Sequence, residues 1–243
     1  MAGSQISTSV TIINSLLGFH SLSLTEMETS AESSIAAGSI VEIGSAFFVC
    51  STETSISGFS SITTAATAYI EITPSGTAGA QTITAAWSET VPVWVDAKQG
   101  WYASATSIVR VVGGCVKTGT TSAEHDFLLK DYEDRLQWVE LEIGDWDMDT
   151  NSSLNLSHGI GDAWDTIRAA SCVVRTDATA TNHYPLDRAQ ASNDGDNCGS
   201  ISSWDSTQFV LRRTDSKLFD SSSFNQTSYN RGWVTFQWEA VAV

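Results

Sequence analysis

The residues best suited to hold a metal ion lie at 145–151, Asp-Trp-Asp-Met-Asp-Thr-Asn. Acids at positions one, three and five, with Asn at seven, follow the ligand spacing of a calcium loop, whose oxygens converge on a hard cation. Position six is Thr150, where that loop needs Gly, and position twelve is Leu156, where it needs Glu. In a strand, alternate residues share one face, so the segment is expected to form an acidic stripe. The weak metal candidates are Asp145, Asp147 and Asp149, and no cofactor is expected.

Ligand recognition is the more natural chemistry for the C-terminal half. Aromatic faces stack on the C–H surfaces of sugars, and Asp, Asn and Arg hydrogen-bond to sugar hydroxyls. A polar stretch at 177–203 predicts a long loop, in which 193–197, Asn-Asp-Gly-Asp-Asn, either binds calcium weakly or carries no ligand. The residues expected to contact a ligand are Asp177, Asp194, Asp196, Asn197, Trp204, Asp205, Arg213 and Trp233. Alternation places Trp233 outward, as a sugar platform or as an assembly contact.

Catalytic patterns are missing from the sequence. No G-x-S-x-G nucleophile elbow occurs, and the histidines are isolated from one another: His20, His125, His158 and His183. A glycosidase needs two carboxylates in a cleft, and short sandwich connections do not favour a cleft. The chain is therefore expected not to be an enzyme, with a glycan-degrading enzyme as the alternative to exclude.

The cysteines leave two arrangements open. The four residues, Cys50, Cys115, Cys172 and Cys198, contain no C-x-x-C pair, which argues against structural zinc. Two fall in each half, so the spacing permits Cys50–Cys115 and Cys172–Cys198 disulfides. Buried free thiols are the alternative for a chain that folds in the cytosol.

Charge excludes two classes of partner. The formal net charge is −16, which opposes binding to nucleic acid and to an anionic bilayer. No stretch approaches the roughly 20 apolar residues of a membrane-spanning helix. The apolar segment 1–24 lacks the Lys or Arg with which a secretory signal peptide begins, so no such signal is expected. The protein is therefore expected to fold where it is made, in the cytoplasm.

The composition predicts an all-β fold, because the chain is rich in Ser and Thr and 42% of its residues are hydrophobic. In the first half we predict a bulged strand at 40–49, a hairpin of 67–73 with 82–87 turning at 74–76, and a hairpin at 107–117 turning at Gly113-Gly114. The aromatic stretch 91–102 has no regular period and is expected to be a loop over a sheet or a contact surface between protomers.

The second half predicts an antiparallel β-sandwich. Strands are expected at 138–148, 153–158, 166–176, 207–214 and 232–241. The last strand alternates most clearly: Val234, Phe236, Trp238 and Ala240 face inward, and Trp233, Thr235, Gln237 and Glu239 face outward. The expected organisation is a docking and assembly segment at 1–36, a short-stranded β domain at 37–134 and the sandwich at 135–243.

Several strings resemble the C-terminal modules of tailed-bacteriophage tail-fibre and receptor-binding virion proteins. These are 143–149 (IGDWDMD), 167–177 (IRAASCVVRTD), 206–213 (STQFVLRR), 219–221 (FDS) and 229–239 (YNRGWVTFQWE). In the first half, 44–48 (GSAFF) and 94–102 (WVDAKQGWY) resemble the region that precedes that module. The strand pattern is also similar to the H-type lectin sandwich, which ends in a comparable aromatic strand.

The resemblance implies a virion surface protein that forms homotrimers, contacts other virion proteins and attaches to host surface glycans. The alternative is a purely structural subunit, such as a head decoration protein or an extracellular filament subunit. In that case the apolar, Ser/Thr-rich segment 6–24 docks in a neighbouring subunit.

Overall fold

A computed structural model describes residues 33–44, 46–50, 52–75, 82–179, 182–188 and 197–241. Within these ranges the protein is all-β, with seventeen strands and no α-helix, which confirms the predicted fold class. Five short 3₁₀ helices lie at Phe59–Ser61, Asp96–Lys98, Tyr132–Arg135, Gly161–Thr166 and Ser222–Phe224. In the described ranges we find no helix with the length and apolar character needed to cross a membrane.

The chain forms two compact units. The first comprises the described residues up to Arg135 together with Ala240 and Val241, and the second is Leu136–Glu239. Ala240 N–H donates to the Arg135 carbonyl at 2.7 Å, and the Tyr69 hydroxyl donates to the Ala240 carbonyl at 2.7 Å. Ala240 and Val241 therefore belong to the first unit, whereas the predicted domain 135–243 assigned them to the second.

The first unit contains an eight-stranded sheet and a separate hairpin. The strands of the large sheet are β1 (Ser34–Ile35), β4 (Thr54–Ser57), β5 (Thr67–Ser75), β6 (Thr82–Ser88), β7 (Val93–Val95), β8 (Gly100–Tyr102), β9 (Arg110–Lys117) and β10 (Ala123–Leu128). Their order is β1-β4-β6-β5-β9-β8-β7, with β10 also paired to β9. The hairpin is β2 (Ile40–Ile43) with β3 (Ala46–Val49). Part of the segment predicted to dock, β1, is thus a strand of this sheet, and residues 1–32 lie outside the described ranges.

Alternation places β5 correctly in the core. Ala68, Ile70 and Ile72 are fully buried, and β5 pairs antiparallel with β6 over seven residue pairs, as the predicted hairpin requires. The strand continues through Pro74 to Ser75, so the turn predicted at 74–76 begins later, and residues 76–81 lie outside the described ranges.

The predicted hairpin at 107–117 is wrong. Gly113 and Gly114 lie inside β9, which runs without a turn and pairs with β5 and β10. A Cβ at Gly113 would lie 2.3 Å from the Phe127 carbonyl oxygen, and one at Gly114 would lie 2.2 Å from that of Ala68. The two glycines are therefore required because neighbouring strands approach closely.

Gly114→Ala is expected to lower the free energy of unfolding by about 1–3 kcal/mol, because a buried backbone carbonyl must move to admit the methyl group. Urea unfolding monitored by tryptophan fluorescence measures the change. The exposed Thr84→Ala on the same sheet is the control, with an expected change within about 1 kcal/mol. Wild-type stability for Gly114→Ala would contradict the continuous β9 strand.

Two further expectations for this unit are corrected. The bulged strand at 40–49 is a hairpin, because Gly44 adopts φ +64° and reverses the chain between β2 and β3. The aromatic stretch 91–102 is also a hairpin rather than a loop, in which β7 pairs with β8 and places Trp94 opposite Trp101; its alternative part, as a contact surface between protomers, stays a prediction. Its irregular period reflects the 3₁₀ helix between two three-residue strands.

The second unit is an antiparallel β-sandwich. One sheet has four strands in the order β11 (Leu136–Glu142), β17 (Gly232–Glu239), β13 (Ile167–Arg175), β14 (His183–Pro185). The other has three in the order β12 (Ser153–Ser157), β16 (Gln208–Arg213), β15 (Gly199–Trp204). Phe209 of β16 and Phe236 of β17 meet between the sheets, with ring centroids 5.2 Å apart. The predicted sandwich is confirmed.

Local alternation positions the long strands. In β17, Val234, Phe236 and Trp238 are fully buried, while the residues between them are partly exposed, as predicted. A register shift between positions 167 and 169 of β13 lets Ile167 join Cys172 and Val174 on the buried side.

Two segments of this unit differ from the strand and loop that the sequence predicts. The acidic strand expected at 138–148 ends at Glu142, and the loop expected at 177–203 contains β14 and most of β15.

Candidate functional site

The outward side of the four-stranded sheet carries two tryptophans separated by polar side chains. We call this surface the aromatic face; it comprises Trp138, Glu140, Glu142, Ala169, Ser171, Val173, Trp233, Thr235 and Gln237. Register pairs these residues in three rows across the sheet: Glu142–Trp233–Val173, Glu140–Thr235–Ser171 and Trp138–Gln237–Ala169. Hydrogen-bonding side chains therefore occupy the row between the two that hold tryptophan.

The two tryptophans lie far enough apart to contact separate parts of an extended ligand. Trp138 is 63% exposed, the most exposed of the large hydrophobic side chains described. Its cross-strand partner Gln237 stands four residues along β17 from Trp233, a separation of roughly 13 Å along the strand. A flat surface of this length with aromatic groups at both ends suits a chain of linked units better than a single small molecule.

Trp233 is held in position by its neighbours. The Arg175 guanidinium lies 4.9 Å from the Trp233 ring centroid and 4.2 Å from that of Tyr229. Arg175 Nε donates to the Asn230 carbonyl at 2.7 Å, and the His183 ring meets Trp233 edge-on, with centroids 5.9 Å apart. These contacts restrict the indole, so less freedom is lost when a ligand stacks on it.

The outward position predicted for Trp233 is confirmed, and its part in binding stays a prediction. Sequence reasoning missed Trp138 as a site residue. The signal was available, because Trp138, Glu140 and Glu142 alternate with Val139 and Leu141, the pattern of a half-exposed strand.

The other predicted ligand residues do not converge. Asp177 has a structural role, because its Oδ1 accepts hydrogen bonds from the Arg231 guanidinium at 2.9 Å and from the Gln226 backbone N–H at 3.0 Å. Asp194 and Asp196 lie outside the described residues.

Arg213 is a buried structural residue rather than a free ligand group. Its Nε donates to the Met148 carbonyl at 2.6 Å, and it pairs with Asp215 and, at 3.0 Å, with Asp220. Arg213 and Asn197 border a polar groove at the end of the three-stranded sheet. Neither belongs to the sheet that carries Trp233.

Trp204, the last residue of β15, and Asp205, which follows it, form a third location. Trp204 is partly exposed and packs edge-on against Phe209. Asp205 Oδ1 accepts from the backbone N–H groups of Thr207 at 2.8 Å and Gln208 at 3.1 Å, and the Thr207 bonds are the main cause of its lowered pKa. Asp205 thus closes the turn into β16.

In the segment 145–151, which has the spacing of a calcium loop, the carboxylates of Asp145 and Asp147 accept hydrogen bonds from backbone N–H groups. Asp145 Oδ1 accepts from the Tyr229 backbone N–H at 2.7 Å, and Asp147 Oδ1 accepts from that of Thr150 at 3.1 Å. The Arg213 guanidinium also donates to the Asp149 carbonyl at 3.2 Å. A positive charge therefore lies beside the oxygens that a cation would need. The described residues contain no group of three or more His, Cys, Asp or Glu arranged to hold a metal.

The four cysteines are buried free thiols, so the Cys172–Cys198 and Cys50–Cys115 bridges that the spacing permits are not formed. Burial, with a contribution from the Asp187 carboxylate, raises the pKa of Cys172 to about 12, and burial also raises the pKa values of Cys50 and Cys115.

Ellman's reagent at pH 8 is expected to label almost no thiol in the native protein and all four in guanidinium chloride without reductant, because thiolate is the reactive form. Detection of only two thiols after unfolding would contradict the unbridged arrangement.

His158 also has a structural role. It is buried, its Nδ1 accepts from the Ile160 backbone N–H at 3.3 Å, and its Nε2 therefore donates to the Asp205 carbonyl at 2.8 Å. The aromatic face thus remains the strongest candidate for contact with a ligand. No protein-family model, curated protein or solved structure matches this chain.

Proposed function

We propose that this chain is a non-enzymatic attachment protein that binds a neutral, hydroxyl-rich glycan on the aromatic face. One observation carries the proposal: Trp138, which is exposed, and Trp233, which is partly exposed, lie on the same outward side of one sheet, with hydrogen-bonding side chains between them. Indole rings stack on the apolar C–H surfaces of sugars, and the polar groups between them bond to hydroxyls.

The charges of the face favour an uncharged glycan. Glu140 and Glu142 point outward, where they can accept hydrogen bonds from sugar hydroxyl groups, and their negative charges would repel a polyanion. Thr235, Ser171 and Gln237 add groups that both donate and accept. A neutral polysaccharide chain fulfils both the stacking and the hydrogen-bonding requirements of this surface.

The resemblance to phage tail-fibre and receptor-binding proteins supports a place on the virion surface, as a homotrimer that contacts other virion proteins. Three copies of a weak sugar site, presented together, bind a cell surface far more tightly than one copy does. Attachment through several weak sites is consistent with an open, flat face rather than a deep pocket.

The test is binding of the purified protein to a panel of immobilised neutral and acidic polysaccharides, followed by an assay for new reducing ends. We expect retention on at least one neutral polysaccharide and no new reducing ends. Release of reducing ends would contradict the non-enzymatic role, and failure to bind any neutral polysaccharide would contradict the glycan-binding role.

A purely structural subunit is the second candidate, and the edge strand β7 favours it. Val93 of this strand is 41% exposed and the preceding Val91 is 50% exposed. β7 ends the sheet order among the described strands, so its outer edge and its apolar side chains are available for pairing with a neighbouring subunit. The oligomeric state, measured by light scattering at micromolar concentration, distinguishes the structural subunit from the glycan-binding attachment protein. Large assemblies without glycan binding support this candidate, a glycan-binding trimer supports the first, and a strict monomer counts against both.

A further inference from the structure

A second surface of the sandwich, on its other sheet, is a polar groove. The groove has a volume of about 540 Å³ and is lined by Ser152, Ser153, Asn197, Gly199, Ser200, Arg212, Arg213, Thr214 and Asp215. It lies where β12, β16 and β15 run side by side, because Arg212 pairs with Ser153 on one side and with Ser200 on the other. Most of its lining side chains carry hydroxyl, amide or charged groups.

Arg212 is the notable group in this groove. Its side chain is exposed and has no hydrogen bond, ion pair or aromatic ring partner within the described residues. Every other arginine described in this unit is engaged with a carboxylate, a carbonyl or a ring. These pairs are Arg168 with Glu239, Arg175 with the Asn230 carbonyl, Arg188 with the Tyr184 ring, Arg213 with Asp220 and Arg231 with Asp177.

Strand geometry explains the contrast between two adjacent arginines. Side chains alternate along β16, so Arg213 points inward to Met148 and Asp220, while Arg212 points outward. In a protein of net charge −16, the Arg212 guanidinium is flanked by the hydroxyl groups of Ser153 and Ser200, and the Asp215 carboxylate, which also lines the groove, is paired with Arg213.

We propose that this groove binds a sugar unit that carries a carboxylate. The Arg212 guanidinium presents paired N–H donors in a fork that matches the two oxygens of a carboxylate. Ser153, Ser200 and Asn197 offer groups for the ring hydroxyls. This site is independent of the aromatic face, because it lies on the other sheet and rests on different residues.

Size and charge select this ligand class. The groove volume falls in the range of small-molecule sites and far exceeds what a simple anion fills. Among the described residues that line the groove, Arg212 is the one cation without a partner, so the local attraction suits a single carboxylate. A densely charged polyanion would be repelled by the rest of the surface.

The experiment measures the affinity of the intact protein for glucuronic acid by NMR titration, beside glucose and acetate as the neutral and sugar-free probes. We expect glucuronic acid to bind more tightly than either. Arg212→Gln is expected to weaken its binding at least roughly tenfold, the loss of one charge-assisted hydrogen-bonded pair. The control, Arg168→Gln, removes the same charge from the other sheet and should leave the affinity unchanged.

Three results would overturn the proposal: equal binding of acetate or glucose, unchanged affinity in Arg212→Gln, or no binding of glucuronic acid at millimolar concentration. Alanine at Trp138 and Trp233 should leave glucuronic acid binding intact. Failure of this site is thereby distinguished from failure of the aromatic face.

Discussion

Replacing both Trp138 and Trp233 with alanine is expected to weaken glycan binding by on the order of a thousandfold. Each indole is expected to contribute about 2 kcal/mol, as a central aromatic contact does, and about 1.4 kcal/mol corresponds to tenfold in the dissociation constant. Trp138 is largely exposed and Trp233 is partly exposed, so neither substitution leaves a large cavity in the core. Isothermal titration with the neutral polysaccharide found by screening measures the loss.

Trp204→Ala is the matched control for this double substitution. Trp204 is also an exposed tryptophan of the sandwich, but it lies on the three-stranded sheet. We expect Trp204→Ala to bind as the wild type does. Comparable losses in the control and in the double variant would show that binding does not depend on the aromatic face.

Arg231→Met is expected to lower the free energy of unfolding of the second unit by about 3–5 kcal/mol. Arg231 is fully buried, and its guanidinium donates to the carbonyls of Trp146, Arg175 and Gln226 and to Asp177 at 2.9–3.0 Å. Methionine fills similar space but leaves the Asp177 carboxylate without its cation and three carbonyls without donors. Removing one partner of a buried ion pair is costly for this reason.

Chemical unfolding monitored by circular dichroism tests this expectation. The control is Arg168→Met, which breaks a partly exposed ion pair with Glu239 and should cost about 1 kcal/mol, because the Arg168 side chain is half exposed to solvent. Equal losses for the two variants would contradict the role assigned to Arg231.

The elements that could be predicted are those in which one strand carries its own signal. In β17 strict alternation places Val234, Phe236 and Trp238 inside, because the side-chain period of a strand is two. The long strands β5 and β13 are recognisable for the same reason.

The errors arise where distant segments decide the conformation. Gly113-Gly114 has the composition of a turn, yet Ala68 and Phe127 approach so closely that only glycine fits in a continuous strand. At Gly44 the error is the opposite one. A bulge within one strand was predicted there, but the chain turns back at Gly44 and β2 pairs with β3. Composition alone could not separate these cases, since both depend on which strands lie beside the glycine.

The candidate site could be predicted only in part, because residue type indicates chemistry but not position. Asp177 and Arg213 have side chains that could bind sugar hydroxyls. In the fold, however, Asp177 accepts a hydrogen bond from Arg231, and Arg213 donates one to the Met148 carbonyl, and both partners lie far away along the chain. The outward position of Trp138 follows from local alternation, but its place on the same face as Trp233 depends on the pairing of β11 with β17, which the sequence does not show.

The most direct test of the glycan-binding face is an NMR titration that follows the indole N–H signals of the assigned tryptophans. On addition of the neutral polysaccharide fragment, we expect the signals of Trp138 and Trp233 to shift together and to saturate at one concentration. The signals of the buried Trp146 and of Trp204 on the other sheet should stay in place. Saturable shifts confined to other tryptophans, with Trp138 and Trp233 unchanged, would contradict the account.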